Sequence, residues 1–197
     1  MKKIGVLALQ GAFVEHEKCL TQIGAEAILI RLPRQIEQMD GLIIPGGESS
    51  SISRLMNDYE LTNALQRHIT DGLPVFGICA GMILLAREAI GLREQALGAM
   101  DIVVRRNAFG RQVDSFEIDL PVPALGEPPF HAVFIRAPWI EDTGPDVEIL
   151  AKLPDGTPVA ARQRNILVAS FHPELTNDTR FHAYFLSMAE RREKCRK

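Results

Sequence analysis

The segment VFGICAGMILLA, residues 75–86, holds Cys79 between two glycines in an apolar run. Gly77, Cys79 and Gly81 match the G-x-nucleophile-x-G pattern of a tight strand-to-helix turn, which holds its nucleophile in a strained backbone conformation. A helix that begins just after Cys79 directs N–H groups at the sulfur and favours the thiolate. The pattern predicts a thiol nucleophile. The alternative is an inert cysteine that packs as a small hydrophobe.

A thiol nucleophile needs a base, and the base needs an orienting group. The segment ILVASFHPEL, residues 166–175, places His172 directly after a predicted strand and Glu174 two residues later. Pro173 ends the strand, so both side chains can project from one strand end. We therefore predict a Cys79–His172–Glu174 triad, in which Glu174 holds the imidazole in the tautomer that takes the thiol proton.

The other histidines offer weaker candidates for the base. One of them, His131, opens a predicted strand and has no acid placed beside it. The remaining three lie in helix-like stretches and are predicted to be surface or packing residues: His16, His68 and His182.

Attack on a carbonyl also needs donors for the developing oxyanion. The segment IIPGGES, residues 43–49, ends a predicted strand in two glycines. In a parallel sheet this strand end lies beside the Cys79 turn, at the edge where α/β proteins bind ligands. The backbone N–H groups of Gly47 and Ala80 are the expected oxyanion pair. The alternative is an ordinary Gly-Gly turn.

Composition excludes several other classes of protein. The chain has 197 residues, 46% of them hydrophobic, and a formal net charge of −3, which gives no electrostatic reason to expect nucleic acid or an anionic membrane as partner. No apolar run approaches the ~18 residues of a membrane span. The N-terminus MKKIGVLALQGA imitates a secretion signal, but its apolar run is too short, and a first strand explains it better.

The cysteines indicate the cellular compartment. The chain has three, Cys19, Cys79 and Cys195, widely spaced and without a CxxC pair. An odd number at such spacing argues against a disulfide framework or a zinc site and favours a reducing cytoplasm. We expect no metal, and we expect Cys19 and Cys195 to be incidental.

The first half of the chain alternates between two periodicities. Short apolar runs (KIGVLAL, AILIRL, GLIIPGG and LPVFGIC) are separated by helix-like stretches at residues 13–23 and about 51–70, and AGMILLARE follows as a further helix. Continuous apolar strands between helices are typical of a parallel sheet covered on both faces. This half therefore predicts a doubly wound α/β fold.

The second half is richer in strands. Six short candidates are punctuated by Pro, Gly and Asp: DIVVRRN, SFEIDL, HAVFIRAP, VEILAKL, PVAARQ and ILVASFHPE. A helix over about residues 177–192, capped by Asn177 or Asp178, closes the chain. We predict one α/β domain over residues 1–197, with a mostly parallel sheet, helices on both faces and additional antiparallel strands in the second half.

Pro-Gly-Gly, Gly-x-Cys-x-Gly and His-Pro-Glu, in this order, resemble the class I (triad) glutamine amidotransferases. Further segments resemble the glutaminase subunits of pyridoxal 5'-phosphate synthase in particular and span nearly the whole chain: LALQGAFVEH, PGGESSSISRL, FGICAGMILLA, RRNAFGRQVDSFE, FIRAP and SFHPELTNDTR. Many class members carry Gln three residues after the nucleophile, where this chain has Met82. That departure agrees with the vitamin B6 subfamily and counts against the nucleotide-pathway enzymes.

The resemblance implies hydrolysis of L-glutamine to L-glutamate and ammonia through a glutamyl thioester. It also implies a partner synthase subunit that consumes the ammonia in making pyridoxal 5'-phosphate, and no cofactor for this chain itself. Carried over to this sequence, Cys79 is the nucleophile, and His172 with Glu174 completes the triad.

The resemblance further implies a set of residues that lie on the substrate glutamine: Gly47, Glu48, Ser49, Arg106, Ile135 and Arg136. An amino acid substrate carries a carboxylate, which an Arg side chain can grip with two hydrogen bonds. The sequence leaves open whether Arg106 and Arg136 touch that carboxylate or support the pocket or the partner interface. It also leaves open whether Glu48 serves the substrate ammonium or a surface ion pair.

Two other functions remain in competition at this point. Another class I glutaminase would share the fold and the triad, but Met82 and the RRNAFGRQVDSFE segment disfavour it. A non-catalytic module with Cys79 as a redox sensor would need neither Glu174 nor the glycine pair.

Overall fold

The computed structural model describes residues 1–93, 97–106 and 115–196. The described strands are β1 (Lys3–Leu7), β2 (Glu26–Ile30), β3 (Gly41–Ile44), β4 (Val75–Ile78), β5 (Ala86–Ile90), β6 (Met100–Arg105), β7 (Ser115–Leu120), β8 (Phe130–Ile135), β9 (Trp139–Thr143), β10 (Glu148–Lys152), β11 (Pro158–Gln163) and β12 (Ile166–Ala169). The α-helices are α1 (Phe13–Gln22), α2 (Ser49–Asp58), α3 (Leu61–Thr70), α4 (Ala80–Leu85) and α5 (Arg180–Arg196). Short 3₁₀ turns occupy Pro33–Gln35, Pro123–Leu125 and Pro173–Leu175.

The central sheet contains seven strands in the order β10-β11-β12-β4-β3-β1-β2. The five strands from β12 to β2 run parallel, whereas β10 and β11 are joined to them by antiparallel pairing. This arrangement confirms the predicted mostly parallel sheet with antiparallel strands from the second half of the chain.

Both faces of this sheet are covered, because successive residues of its apolar strands point to opposite sides. In β3, Leu42 and Ile44 pack in the cluster formed with α2, α3 and α4. Ile43 packs in the opposite cluster with Leu20 of α1 and Phe185 of α5. Helices therefore lie on both faces, as the doubly wound pattern predicts.

Two smaller sheets flank the central one. The first has the strand order β5-β6-β9, and the second is the antiparallel β7–β8 hairpin. The helix predicted for AGMILLARE was wrong in its second half, because α4 ends at Leu85 and residues 86–90 form β5 against β6. The AREAI sequence favours a helix, so strand pairing with β6 overrides local propensity here. Strand β9 was not predicted.

Two helix boundaries also differ from the predictions. The long helical region divides into α2 and α3 at Glu60, whose left-handed backbone (φ 58°) interrupts the helix. The last helix begins at Arg180 rather than at Asn177. The predicted capping residue Asp178 does serve this end, since its carboxylate accepts the backbone N–H of Arg180 at 3.0 Å.

The carboxyl ends of the parallel strands meet at one edge of the sheet, and the loops that follow them carry the predicted chemistry. Gln10 follows β1, the Gly46–Gly47 pair follows β3, Cys79 follows β4, and His172 follows β12. Within the described part of the chain, every helix is too short or too polar to cross a bilayer.

Candidate active site

Cys79 alone joins β4 to α4, because β4 ends at Ile78 and α4 begins at Ala80. Its backbone has φ 49° and ψ −99°, a conformation that a non-glycine residue adopts at a cost of about 1–3 kcal/mol. The Cys79 N–H donates to the Ala169 carbonyl of the neighbouring β12 at 2.8 Å. The predicted strained turn is therefore present, and β12 helps to hold it.

The two glycines of the turn permit close approach of backbone. A β-carbon on Gly81 would lie 2.1 Å from the Ile44 carbonyl oxygen of β3. A β-carbon on Gly77 would lie 2.8 Å from the carbonyl of Gly81. Backbone cannot yield easily to such overlaps, so the turn requires glycine at both positions.

His172 reaches Cys79 from the adjacent strand end. Its backbone N–H donates to the Val133 carbonyl of β8 at 2.8 Å, which fixes the chain after β12. The 3₁₀ turn at Pro173–Leu175 then returns Glu174 towards the imidazole, and His172 Nδ1 donates to Glu174 Oε1 at 2.7 Å. Both residues are buried. The structure thus brings together the three residues predicted as a triad.

The charge state of His172 follows from its two neighbours. Burial on its own lowers the pKa of the imidazole, but hydrogen bonds with the Cys79 thiol and the Glu174 carboxylate outweigh it and raise the pKa to about 10. At neutral pH the imidazole is therefore protonated, and the cation lies between a sulfur and a carboxylate.

The glycine pair after β3 lies directly on the triad. A β-carbon on Gly46 would lie 2.4 Å from His172 Cε1 and 3.5 Å from the Cys79 β-carbon. From the other side, the Ala12 N–H donates to the Gly46 carbonyl at 3.2 Å. A β-carbon at Gly11 (φ 102°) would also overlap the Gly46 oxygen. Two backbone loops therefore close over the site.

Gln10 belongs to the site and was missed from the sequence. Its Oε1 accepts the backbone N–H of Glu48 at 2.7 Å, so it holds the peptide that follows Gly47. Gln10 could have been recognised from the sequence, because it is a polar side chain directly after an apolar parallel strand. The ends of such strands meet at the ligand-binding edge of the sheet.

Glu48 and Arg106 form a pair beside this loop. The Glu48 carboxylate caps α2, accepting the N–H groups of Ser50 at 3.1 Å and Ser51 at 2.6 Å, and these bonds lower its pKa. Arg106 Nη2 lies 3.5 Å from Glu48 Oε1, and Nη1 donates to the Gly91 carbonyl at 2.7 Å. The sequence left open whether Glu48 serves the substrate ammonium or a surface ion pair. In the structure, the Glu48 carboxylate caps α2 and forms an ion pair with Arg106.

The remaining predicted substrate residues lie near the ends of α2 and β8. Ser49 is buried in the first turn of α2. Ile135 and Arg136 are exposed and come two and three residues after Val133, whose carbonyl holds the His172 backbone. Arg136 has φ 43°, a strained value for a residue with a side chain.

The prediction for His131 was wrong, whereas the predictions for His16 and His182 agree with the structure. His131 was predicted to have no acid beside it, but across the β7–β8 hairpin it contacts Asp119 at 2.8 Å and Glu117 at 2.9 Å. His16 and His182 are packing residues rather than surface residues, and both are fully buried. His16 Nε2 lies 3.6 Å from Glu174 Oε2, immediately behind the triad.

The sequence periodicity could have identified His16 as buried, because it shares a helix face with the buried Cys19 and Leu20.

Cys19 and Cys79 carry free thiols, and burial raises the pKa of the Cys19 thiol. The side chain of Cys195 and residues 107–114, which form most of the RRNAFGRQVDSFE segment, lie outside the described residues. The described part of the chain contains no cluster of three or more His, Cys, Asp or Glu residues suited to a metal ion.

Fold and site together define an α/β protein with a cysteine–histidine–glutamate cluster at the carboxyl edge of its parallel sheet. The model of the SNO glutamine amidotransferase family matches residues 6–191, and the chain belongs to this family.

Sequence relatives agree with this assignment. The chain is 56% identical to pyridoxal 5'-phosphate synthase subunit PdxT of Carboxydothermus hydrogenoformans, over 93% of this chain and 96% of the relative. It is likewise 56% identical to the PdxT subunit of Herpetosiphon aurantiacus, over 94% of this chain and 99% of the relative.

Solved structures show the same fold. A crystal structure described as a glutamine amidotransferase superposes with a TM-score of 0.90 at 48% identity, covering 95% of this chain and 98% of that one. A chain from the structure of PurLQS of Thermotoga maritima superposes with a TM-score of 0.70 at 15% identity, covering 95% of this chain and 99% of that one. The second likeness is one of fold alone.

Proposed function

We propose that this chain is the glutaminase subunit of a pyridoxal 5'-phosphate synthase, hydrolysing L-glutamine to L-glutamate and ammonia at Cys79. The observation that carries the proposal is the buried His172, bonded on one side to the Cys79 thiol and on the other to Glu174. Family membership and the PdxT relatives support the choice of glutamine as substrate.

In the first half of the reaction, the Cys79 sulfur attacks the side-chain carbonyl carbon of glutamine. The carbon–oxygen double bond opens to an oxyanion, which collapses as the carbon–nitrogen bond breaks. His172 gives its Nε2 proton to the departing nitrogen, so ammonia leaves and a glutamyl thioester remains on Cys79. Glu174 keeps the His172 ring in the orientation that this transfer requires.

In the second half, water attacks the thioester. Neutral His172 now takes a proton from that water, and the carbon–sulfur bond breaks to release glutamate and free Cys79 for the next turnover. Every proton that leaves His172 in the first half therefore returns in the second, and the reaction needs no cofactor.

The oxyanion donors in this proposal are the N–H groups of Gly47 and Ala80. Ala80 is the first residue of α4, where backbone N–H groups have no partner within the helix. Gly47 lies in the loop whose next peptide is held by Gln10. One misaligned donor forfeits about 3–4 kcal/mol of transition-state stabilisation, or a factor of roughly 10²–10³ in rate.

For the substrate's charged end, we propose the loop of Gly47, Glu48 and Ser49 together with Arg106, Ile135 and Arg136. The Glu48–Arg106 ion pair supplies both signs of charge beside this loop, which suits the ammonium and carboxylate of a free amino acid. The strained backbone of Arg136 is a further feature typical of binding sites.

We further propose that the ammonia passes to the synthase subunit, and that the protein works in the cytoplasm. Three widely spaced cysteines and the need for a free Cys79 thiol favour a reducing compartment. Because free ammonia is lost to water, we expect a slow isolated subunit whose oxyanion donors align when the synthase subunit docks.

The test combines turnover with chemical labelling. Glutamate release is measured with and without the synthase subunit, and an electrophilic glutamine analogue is then mapped by mass spectrometry of the peptides. We expect labelling of Cys79 and not of Cys19, and a rise in kcat of about 10²–10³ on adding the synthase, larger than any change in KM. Labelling without turnover in the complex would indicate a thiol-sensing module instead.

A further inference from the structure

A pair of histidines, His16 and His182, lies behind Glu174 on the side away from His172. While Glu174 Oε1 accepts from His172, its Oε2 faces His16 Nε2 of α1 at 3.6 Å. His16 Nδ1 in turn lies 2.9 Å from His182 Nε2 of α5. The side chains of His16 and Glu174 are completely buried, and His182 is fully buried too. A row of polar side chains thus extends from the thiol into the core.

Of the two pairs of neutral tautomers that give the His16–His182 hydrogen bond, one suits this row better. If His182 Nε2 carries its proton and donates to His16 Nδ1, then neutral His16 carries its proton on Nε2, facing the carboxylate. The opposite choice would turn a nitrogen lone pair towards Glu174 and leave a buried N–H without an acceptor at His182 Nδ1. Buried N–H groups without partners are rarer than unfilled acceptors, which favours the first choice.

The buried atoms that lack hydrogen-bond partners show where hydrogen bonding along this row is interrupted. Three buried atoms have no hydrogen-bond partner within the described residues: His16 Nε2, Glu174 Oε2 and His182 Nδ1. The first two face each other, and 3.6 Å is longer than a hydrogen bond by about 0.5 Å. Catalytic hydrogen bonds are often long before substrate binds and tighten in the working complex.

The surroundings keep this pair of histidines uncharged. Burial lowers the pKa of His16 well below its usual value, helped by the neighbouring His182 and His172, and burial lowers the pKa of His182 to about 4. The other titratable group near Glu174 on α1 is the buried thiol of Cys19, whose pKa is raised. Phe76 of β4 packs edge-on against the His182 ring, with centroids 6.1 Å apart. Among the described residues, His172 is therefore left as the single cation that contacts Glu174.

We propose that His16 is a positioning residue for glutamine hydrolysis, whose Nε2–H holds Oε2 of Glu174 while His182 fixes the tautomer that makes this contact possible. The inference rests on the proposed triad. His16 acts through Glu174: with both oxygens held, the carboxylate cannot rotate, and His172 keeps its orientation towards Cys79. A neutral donor suits this role because a second cation would compete with His172 for the carboxylate.

The first test is a set of paired variants, assayed for kcat and KM in the complex with the synthase subunit. We expect His16→Leu to lower kcat by about 10-fold, the value of one hydrogen bond to a charged group, with little change in KM. His16→Gln can place an amide N–H near Oε2 and should restore most of the loss. In a Glu174→Gln background, His16→Leu should cost less than about twofold, because the two residues act in one chain.

Controls separate this role from simple packing. Cys19→Ala truncates a neighbouring buried side chain of α1 that is not a member of the row and should leave kcat unchanged, and thermal unfolding reports the stability of every variant. If His16→Leu does not fold, His182→Phe replaces it, with a smaller expected loss of about threefold because only the tautomer lock is removed. Equal losses with and without Glu174, or no advantage of Gln over Leu, would overturn the proposal.

The second test does not depend on turnover. Nitrogen-15 NMR of histidine-labelled protein distinguishes the two imidazole tautomers, and we expect both His16 and His182 to carry the proton on Nε2. A proton on His16 Nδ1 would refute the inference. If wild-type protein turns over glutamine and Cys79 is labelled while this result fails, the inference falls alone. If wild-type protein shows no turnover in the complex, the proposed function itself has failed.

Discussion

The molecule contains two histidine–carboxylate clusters with nearly the same bond lengths and different surroundings. His172 contacts Glu174 at 2.7 Å at the carboxyl edge of the central sheet. His131 contacts Asp119 at 2.8 Å and Glu117 at 2.9 Å on the β7–β8 hairpin. Only a tenth of the His172 side chain is accessible, whereas half of the His131 side chain is exposed. Carboxylate contacts raise the pKa of both imidazoles.

The difference between them bears on the proposed mechanism, because hydrogen-bond geometry alone does not make a catalytic base. On the hairpin, water and salt screen the charges, so the ion pairs contribute little. At the sheet edge, a strained turn holds Cys79 against the other side of His172, and the loop of Gly46 lies close against the His172 ring. In the proposed mechanism, burial and a facing cysteine convert the same pair of residue types into a reactive centre.

The largest expected effect concerns the Cys79 thiol, since the hairpin cluster around His131 has no thiol among its described contacts. We expect Cys79→Ala to lower glutamine hydrolysis by at least about 10⁴-fold, because the covalent route is lost while the fold remains. Glutamate release in the complex with the synthase subunit measures the effect. The matched control is Cys19→Ala, another buried free cysteine, which should keep full activity. Substantial turnover by Cys79→Ala would contradict the proposed nucleophile.

The two carboxylates can be compared by the same chemical change. Glu174→Gln should lower kcat by about 10–10³-fold. In a serine protease, loss of the orienting acid lowers kcat by up to ~10⁴-fold. The effect here should be smaller because a Cys–His pair needs its acid less. Glu117→Gln removes a carboxylate that lies 2.9 Å from the exposed His131, a similar distance, and should leave kcat unchanged. Equal kcat values for Glu174→Gln and wild type across the pH range would remove Glu174 from the mechanism.

Acid should destabilise the folded protein because its buried histidines resist protonation. The pKa of His182 is about 4 in the folded protein and about 6.5 in the unfolded chain, so below pH 6.5 only the unfolded chain takes up this proton. The free energy of unfolding should therefore fall by up to about 3 kcal/mol between pH 6.5 and pH 4 from this residue. In His182→Phe, denaturant unfolding should show a shallower decline over that window. An identical pH slope in the variant and the wild type would be inconsistent with a buried neutral His182.

The smallest effect is expected at His131. Its folded pKa is raised, so its contribution to stability is present below the unfolded value and is lost as pH rises through the folded one. His131→Gln should slightly lower the unfolding midpoint at pH 6 in low salt and should have no effect in high salt or at high pH. Its kcat should equal that of the wild type. A loss of turnover would show that the hairpin cluster belongs to the functional site after all.

Local sequence patterns were sufficient for much of the fold and for the triad. Glycines on either side of Cys79, and proline between His172 and Glu174, determine local backbone geometry, so the reactive turn and the His–Glu contact were predictable. Alternating apolar strands and helices likewise predicted the parallel sheet. These features involve residues within a few positions of one another, and the rule that parallel strand ends meet at one edge does the rest.

The tertiary structure decided what depends on distant segments. Residues 86–90 become a strand because β6 pairs with them, against their helical propensity. His131 meets its acids only through the register of the β7–β8 hairpin. His16 and His182 are 166 positions apart in the chain, and packing of α1 and α5 on the same face of the sheet brings His16 Nδ1 to 2.9 Å from His182 Nε2. The sequence alone determined which residues can do the chemistry. Packing determined how Glu174 is held from behind, because that contact joins segments that no local pattern connects.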